Sequence, residues 1–286
     1  MRVLRVLLVA CLFLASCGGT DEGPLVSADG VSGAAAQLDA VAAADVAATA
    51  ARDGETWGSL FTDDIVIVDG DEATTGGVEE AVWIAEFIWA QYPDSGELHS
   101  ATYVGLNDGI VVIDQWGFEG FTADAPFYEY RIYEVEDGVI TAWEAVYDLD
   151  TRPFFGRGGM DEEAASLLER YLDAWNSGDA AAIKALYDSG AMRADLLFGE
   201  ATGAAAIGTQ IDSVLARLPG LHLELRETLG LRAHRRVGTG GPMSLTSDGD
   251  PCEVSALVYL ESPGELITRE RVYYQPASLI ACGWAG

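Results

Sequence analysis

Two aspartates occupy the same position in a pattern that the chain contains twice. Asp69 lies eight residues after the pair Leu60-Phe61, and Asp195 lies eight residues after the pair Leu186-Tyr187. A carboxylate at a strand end that projects into an apolar interior is desolvated, which raises its pKa toward the range useful for proton abstraction. The alternative is that both aspartates cap turns or face solvent. The pattern makes them candidates for acid–base chemistry.

The repeat extends along most of the chain. Val146-Tyr147 in the first copy corresponds to Val272-Tyr273 in the second, and the landmarks recur at an offset of 126 or 127 residues. Each copy has the length of a domain. We therefore predict one domain at residues 35–150 and another at residues 162–286, joined by a linker at residues 151–161.

The elements that position these aspartates follow the same order in each copy. Helical periodicity at residues 35–52 and 78–89 precedes several β-branched and aromatic segments separated by turn signals. The polar, glycine-rich stretch at residues 238–250 is predicted to be a mobile loop between strands. This order predicts an α+β fold in which one curved antiparallel sheet wraps around about three helices.

The N-terminus has the features of an export signal. Residues 1–16 combine a basic start with an apolar run that is too short to cross a bilayer permanently. The sequence Leu14-Ala15-Ser16-Cys17 resembles the lipobox of bacterial lipoproteins, which implies cleavage before Cys17 and lipidation of its thiol. The alternative is an ordinary secretory signal. We expect residues 17–34 to be a flexible tether and the protein to be anchored outside the cytoplasm on the cell membrane.

The net charge disfavours one class of partner, and the cysteines and motifs indicate which covalent, metal and cofactor sites to expect. The chain has 46 acidic against 16 basic side chains and a formal charge of −30, so binding to nucleic acid is disfavoured. Cys252 and Cys282 form an even pair in exported sequence, which predicts a disulfide. The three histidines are scattered, and no phosphate-binding loop or nucleophile elbow occurs. We therefore predict no metal site and no cofactor.

The segment RYLDAWNSGDAAAIKALYDSGAMRADLLFGEATGAAAIG at residues 170–208 resembles the SnoaL-like group of the NTF2-like superfamily. This group includes ketosteroid isomerases and polyketide cyclases. Its fold is a cone in which a curved sheet and three helices enclose an apolar pocket. The resemblance covers about residues 35–275 and implies two tandem cones, packed through their sheets as an intramolecular pseudo-dimer.

The resemblance also implies roles for individual residues. In the second copy, Tyr171 falls at the oxyanion-hole tyrosine of ketosteroid isomerase and Asp195 at its general-base aspartate, whereas Ala256 replaces its protonated aspartate. In the first copy Asp69 matches the general base and Asp45 takes the tyrosine position. The position of the protonated aspartate, on a later strand, falls near Arg131. Chemistry is therefore expected in the second copy. Because one oxyanion donor is missing there, efficient enolisation is not expected.

Aromatic side chains are numerous enough to line a ligand pocket. The alternative is that they fill a closed cone. The candidate pocket residues are Trp83, Trp116, Tyr128, Trp143, Trp175, Phe198 and Tyr259.

These observations favour binding over catalysis. The expected partner is a small apolar ligand or another envelope protein. One alternative is an isomerase or cyclase that uses Asp195 as base and Tyr171 as oxyanion donor. A third interpretation is a structural envelope module whose cones are filled by their own side chains.

Overall fold

The computed structural model describes residues 26–69, 72–74, 76–118, 120–148, 162–226, 229–233, 236–248 and 250–286. The predicted signal peptide at residues 1–16, the predicted lipid site Cys17 and the predicted linker at residues 151–161 lie outside the described residues. The described chain combines helices with a curved, mainly antiparallel sheet, so the predicted α+β class is confirmed.

The first half places three helices before most of its strands. The elements are α1 (Ala28–Ala51), α2 (Gly54–Gly58), β1 (Ile67–Asp69), β2 (Glu72–Ala73), α3 (Gly77–Gln91), β3 (Gly96–Val104), β4 (Gly109–Trp116), β5 (Phe127–Glu136) and β6 (Val139–Asp148).

The second half has the same order with one added strand, β10, and a final helix. The elements are α4 (Glu162–Ser177), α5 (Ala180–Lys184), β7 (Tyr187–Asp195), β8 (Gly199–Thr202), α6 (Ala204–Arg217), β9 (His222–Leu225), β10 (Leu229–Ala233), β11 (Arg236–Ser247), β12 (Asp250–Ser262), β13 (Ile267–Tyr274) and α7 (Pro276–Ala281).

An aspartate starts the second helix of each half. Asp53 accepts a hydrogen bond from the backbone amide of Thr56 at 3.0 Å, and Asp179 accepts one from the amide of Ala181 at 2.8 Å. Each bond satisfies an amide that has no partner within its own helix. Hydrogen bonds from Thr56 hold the pKa of Asp53 below its ordinary value.

Each half bends its antiparallel strands over its helices and adds one parallel pair. In the first half β3, β4, β5 and β6 are consecutive neighbours, and β1 lies parallel to β6. In the second half β9, β11, β12 and β13 follow the same order, and β7 lies parallel to β13. The two sets of strands are joined where Tyr274 pairs with Val104 and where β10 pairs with β6.

The two halves have separate cores and a shared layer between them. Arg271 on β13 crosses this layer to Glu144 on β6, with Nη2 at 3.1 Å from Oε2, and the Tyr273 hydroxyl donates to Asp108 at 2.7 Å. The apolar part of the layer consists of Tyr103, Ile110, Val112, Tyr130, Ile132, Val146, Leu257, Tyr259 and Tyr273.

Helix α1 starts earlier than the sequence indicated. Residues 28–34 were expected to belong to a flexible tether, but α1 begins at Ala28, so the tether prediction is wrong for these residues. The Ser27 hydroxyl caps the helix, Val26 forms a parallel bridge with Ala285, and Val31 is buried in the core of the second half. Tertiary contacts thus fix a start that local sequence does not indicate.

The glycine-rich stretch at residues 238–250 is also not the predicted loop. Most of it belongs to β11, which pairs with β12 and β9. Gly240 has an extended backbone, and a side chain there would meet the carbonyl oxygen of Val258 on the neighbouring strand. Met243 and Leu245 are buried. The glycines therefore serve close strand pairing.

The predicted disulfide is confirmed. Cys252 at the start of β12 is bonded to Cys282 at the end of α7, with their Cα atoms 5.5 Å apart. None of the helices in the described part of the chain is long and apolar enough to span a membrane.

Candidate functional site

The first half encloses a cavity of about 580 Å³. Helix α3 lies along one side, and side chains from β1 to β6 face it from the sheet. The lining is formed by Thr49, Trp57, Ile67, Asp69, Ala73, Thr74, Glu80, Ala81, Ile84, Ala85, Ile88, Trp89, Tyr92, Ser95, Glu97, Gln115, Phe118, Phe127, Glu129, Arg131, Trp143 and Tyr147. Its size and its largely apolar wall are those of a small-molecule site.

A buried arginine organises the polar side of the cavity. Arg131 on β5 donates five hydrogen bonds to three carboxylates, and these bonds use all five of its N–H groups. Glu97 on β3 and Glu129 on β5 each accept two of them, and Asp45 on α1 accepts the fifth at 2.7 Å. The guanidinium is therefore fully occupied by protein groups.

The strand period of two explains how this cluster forms. Glu129, Arg131 and Tyr133 alternate along β5, so all three side chains point to the same face of the sheet. Asp45 reaches them from α1 and also accepts hydrogen bonds from the Tyr133 hydroxyl and from Trp57 Nε1, the latter at 2.8 Å. Asp45 thus ties α1 and α2 to the sheet beside the cavity.

One guanidinium does not balance three carboxylates. Burial raises the pKa of Glu129 to about 7 although Arg131 opposes the shift, and the neighbouring charges of Glu97 and Asp69 raise it further. Burial likewise raises the pKa of Glu97, against the attraction of Arg131. Below about pH 7, Glu129 consequently holds a proton that a solvated glutamate would have released.

A second polar pair lies on the cavity wall. The Tyr147 hydroxyl on β6 donates to Asp69 Oδ1 on β1 at 2.5 Å. Burial, followed by the charge of Asp69, raises the pKa of Tyr147 well above its ordinary value. Of the two aspartates singled out from the repeat, Asp69 is therefore the one that faces the cavity.

Asp195 lies in a buried ion-pair network in the second half. It is 1 % exposed and accepts hydrogen bonds from Arg193 Nη2 at 2.8 Å, from the Leu197 amide at 2.9 Å and from the Tyr274 hydroxyl at 3.2 Å. The arginine also pairs with Glu270 at 3.1 Å. Asp195 is thus surrounded by protein donors.

Tyr171 belongs to the same network. Its hydroxyl donates to Glu270 at 2.9 Å, and the Tyr187 hydroxyl donates to the other oxygen of that carboxylate. Burial and the charge of Glu270 raise the pKa of Tyr171 well above its ordinary value. The structure therefore brings Tyr171 and Asp195 into one cluster through Arg193 and Glu270, away from the cavity of the first half.

Strand register relates the two clusters. Glu129 pairs with Tyr147 across β5 and β6, and Ala256 pairs with Tyr274 across β12 and β13. The two tyrosines contact Asp69 and Asp195, respectively, so Tyr147 corresponds to Tyr274, one residue beyond the Tyr273 that the sequence repeat indicated. Glu129 therefore occupies in the first half the place of Ala256 in the second. Sequence comparison placed Arg131 at this position, two residues beyond Glu129, and therefore missed Glu129.

The candidate pocket aromatics are distributed over four environments. Trp143 lines the cavity. Trp175 and Phe198 pack in the second-half core, and Tyr259 lies in the layer between the halves. The remaining three are at least partly exposed, with Trp83 65 % exposed on the outer face of α3; they are Trp83, Trp116 and Tyr128.

Residues 168–269 match the family model described as a SnoaL-like domain. The matched segment includes Tyr171, Arg193 and Asp195, and it ends one residue before Glu270. No curated protein matches the chain at a significant level.

Three solved structures that match the chain each cover less than half of it. A hypothetical protein with a ketosteroid isomerase-like fold from Catenulispora acidiphila, in complex with trimethylamine, is 21 % identical to this chain. The match covers 42 % of this chain and 93 % of that protein, with a TM-score of 0.36. A putative polyketide cyclase from Sinorhizobium meliloti is 15 % identical over 38 % and 97 % of the two chains, with a TM-score of 0.33. An epoxide hydrolase from M. tuberculosis is 17 % identical over 42 % and 88 %, with a TM-score of 0.36.

Among the described residues, no group of three or more histidine, cysteine, aspartate or glutamate side chains is arranged to hold a metal ion.

Proposed function

We propose that the protein is an exported, lipid-anchored binding protein made of two tandem SnoaL-like domains, and that its first domain holds a small amphipathic molecule. The observation that carries this proposal is the cavity of about 580 Å³ in the first half. A mostly apolar wall with a few convergent polar groups is typical of ligand sites. The second domain serves as packing partner through the layer around Arg271.

The arrangement around Asp195 favours binding over catalysis by the second domain. A general base needs a free lone pair within reach of a substrate proton. Asp195 already accepts three hydrogen bonds from buried groups, and the Tyr171 hydroxyl is directed to Glu270. Neither Tyr171 nor Asp195 lines the cavity described for the first domain.

For the isomerase or cyclase alternative, the candidate acid–base groups are therefore those of the first domain. Asp69 and Glu129 both line the cavity, and the pKa of Glu129 of about 7 suits a group that exchanges protons near neutral pH. The test is solvent deuterium exchange into an enolisable cyclic ketone. Exchange that is lost in Asp69→Asn would favour this alternative over binding alone.

Binding is tested by filling the cavity. N-phenyl-1-naphthylamine, a neutral dye whose emission rises in apolar surroundings, should bind the full chain. Ala85→Trp places a large ring into the cavity and should abolish the signal, whereas Ala90→Trp on the exposed face of α3 should leave it unchanged. Equal dye binding by both variants would contradict a ligand site in this cavity.

Anchoring is tested at Cys17. Cys17→Ser should move the protein from the membrane fraction to the soluble fraction and abolish labelling with palmitate. Lipid label that persists on the variant would contradict lipidation at this residue.

A further inference from the structure

The cavity offers little to an anion. Among the described residues that line it, the one cation is Arg131, and every N–H group of Arg131 is directed to a carboxylate of the protein. Arg52, which lies beside the cavity, directs its guanidinium to the backbone carbonyls of Thr49, Tyr92 and Ser95. Both guanidinium groups are therefore engaged by the protein before any ligand arrives.

The charge that remains on the wall is negative. Among the described residues, Glu97 and Glu129 line the cavity and, with Asp45 behind them, share the single guanidinium of Arg131. When these groups are ionised, the three carboxylates exceed the cation by two. Between walls of protein this excess acts over a lower effective dielectric constant than in bulk water, so it attracts a positive charge.

Aromatic rings complete the wall. Seven of the lining side chains are aromatic, and two of their rings already carry a cation: Arg131 lies 5.8 Å from the Trp143 ring and Arg52 lies 6.0 Å from the Trp89 ring. Aromatic faces attract ammonium groups while also accommodating their alkyl substituents. The same wall thus suits both the charge and the apolar body of an amphipathic cation.

We propose that the ligand of the first-domain cavity is an organic cation, namely an amine or quaternary ammonium compound with an apolar body. This inference rests on the proposed binding function and specifies its ligand class. The cationic end lies toward Glu97, Glu129 and Asp69, and the apolar end lies along α3 against Ile84 and Ile88.

Binding of a cation is expected to be linked to protons. A positive charge beside Glu129 stabilises its ionised form, so binding releases a proton and the affinity rises as pH increases through about 7. A neutral ligand of the same shape has no such dependence. The charged and titratable groups that face Glu129 from the packed elements are Arg131 on β5, Asp45 on α1, Asp69 on β1, Glu97 on β3 and Tyr147 on β6.

Three probes that differ mainly in charge test the proposal by calorimetry on the full chain. Benzyltrimethylammonium should bind at least about tenfold more tightly than neopentylbenzene, its uncharged carbon isostere, and benzylsulfonate should bind least. The affinity for the cation should be higher near pH 8 than near pH 6, with that for neopentylbenzene unchanged.

A matched pair of variants assigns the effect to the cavity. Glu97→Gln removes one wall charge at nearly constant shape and should weaken cation binding about fivefold without changing neopentylbenzene binding. Glu134→Gln removes an exposed charge from the same sheet and should change neither. Asp69→Asn provides a second wall variant if Glu97→Gln does not fold.

The outcomes separate ligand class from ligand binding. Neopentylbenzene binding as tightly as the cation, or Glu97→Gln behaving like Glu134→Gln, would overturn the cation proposal and leave a binding cavity. Uptake of N-phenyl-1-naphthylamine without binding of any of the three probes would do the same. Failure of the dye and of all three probes would overturn the proposed function as well.

Discussion

Asp195 shows how a motif residue acquires a role from its neighbours. Its carboxylate is buried against Arg193, the Leu197 amide and the Tyr274 hydroxyl, so it stabilises a network in the interior. Breaking one half of a buried ion pair leaves a charge without its full complement and typically costs about 3 kcal/mol or more. The residue that most resembles a catalytic base is therefore expected to behave as a structural one.

Asp195→Asn tests this role. We expect the variant to lose about 3 kcal/mol of unfolding free energy at neutral pH, measured by urea denaturation. Asp212→Asn, which removes the exposed partner of Lys184, is the control and should cost less than about 1 kcal/mol. Equal stability of Asp195→Asn and the wild type would argue against the buried ion pair.

Glu129 carries the pH dependence of the first half. Its folded-state pKa of about 7 lies above its ordinary value of 4.5, so the folded protein binds more protons than the unfolded chain between these two values. Unfolding free energy therefore decreases as pH rises through this window. Because glutamine does not titrate, the unfolding free energy of Glu129→Gln lacks this decrease.

The unfolding free energy of Glu129→Gln, measured relative to that of the wild type, should be about 3 kcal/mol higher at pH 8 than at pH 4.5. Urea midpoints at the two pH values measure the difference, with Glu134→Gln as the exposed control. A difference between variant and wild type that does not change with pH would show that the buried carboxyl does not titrate as described.

The sequence predicted some residues of the site better than others. The Cys252–Cys282 disulfide followed from an even pair of cysteines in a sequence that is expected to be exported, and Asp69 followed from the repeat. The Arg131 cluster did not, because Asp45, Glu97 and Glu129 are far apart in sequence and meet only when α1 packs on the sheet. The clue that was available is the alternation Glu129-Tyr130-Arg131, which places two opposite charges on one face of a strand among aromatic residues.

At the scale of elements, α1 connects the two halves. Its first turns pack against the second-half core through Val31, whereas Leu38 and Val41 belong to the core of the first half. The start of α1 is fixed by the C-terminal residues, since the Val26 carbonyl accepts a hydrogen bond from the Gly286 amide at 3.0 Å. Helical periodicity predicted the later part of this helix, but its first seven residues depend on contacts nearly the whole chain away.

Trp284→Ala should therefore loosen the start of α1 selectively. Trp284 is buried beside Val26, and removal of its ring should cost about 3 kcal/mol. Amide hydrogen exchange should become faster in the first turns of α1 than around Val41. Trp83→Ala removes an exposed ring and should change neither quantity; uniform acceleration along α1 in Trp284→Ala would contradict the local anchor.

At the scale of the whole molecule, the disulfide closes the second half against its own terminus. It joins residues 30 apart, and restriction of the unfolded chain by such a loop contributes about 3 kcal/mol. The double variant Cys252→Ser, Cys282→Ser should have an unfolding free energy lower by about this amount, measured with urea. Reductant should lower the unfolding free energy of the wild type to the same level. A wild type that is insensitive to reductant would contradict this contribution.

The adjacency of Val26 and Ala285 has a consequence for the order of the two halves along the chain. Because both ends of the described fold lie side by side, a short glycine linker from Gly286 to Val26 would span them. A circularly permuted chain that begins at Glu162 and ends at Asp148 would then present the same sheet pairings with its halves in reverse sequence. The fold therefore specifies the contacts between the two halves, but it does not require that the first half be synthesised before the second.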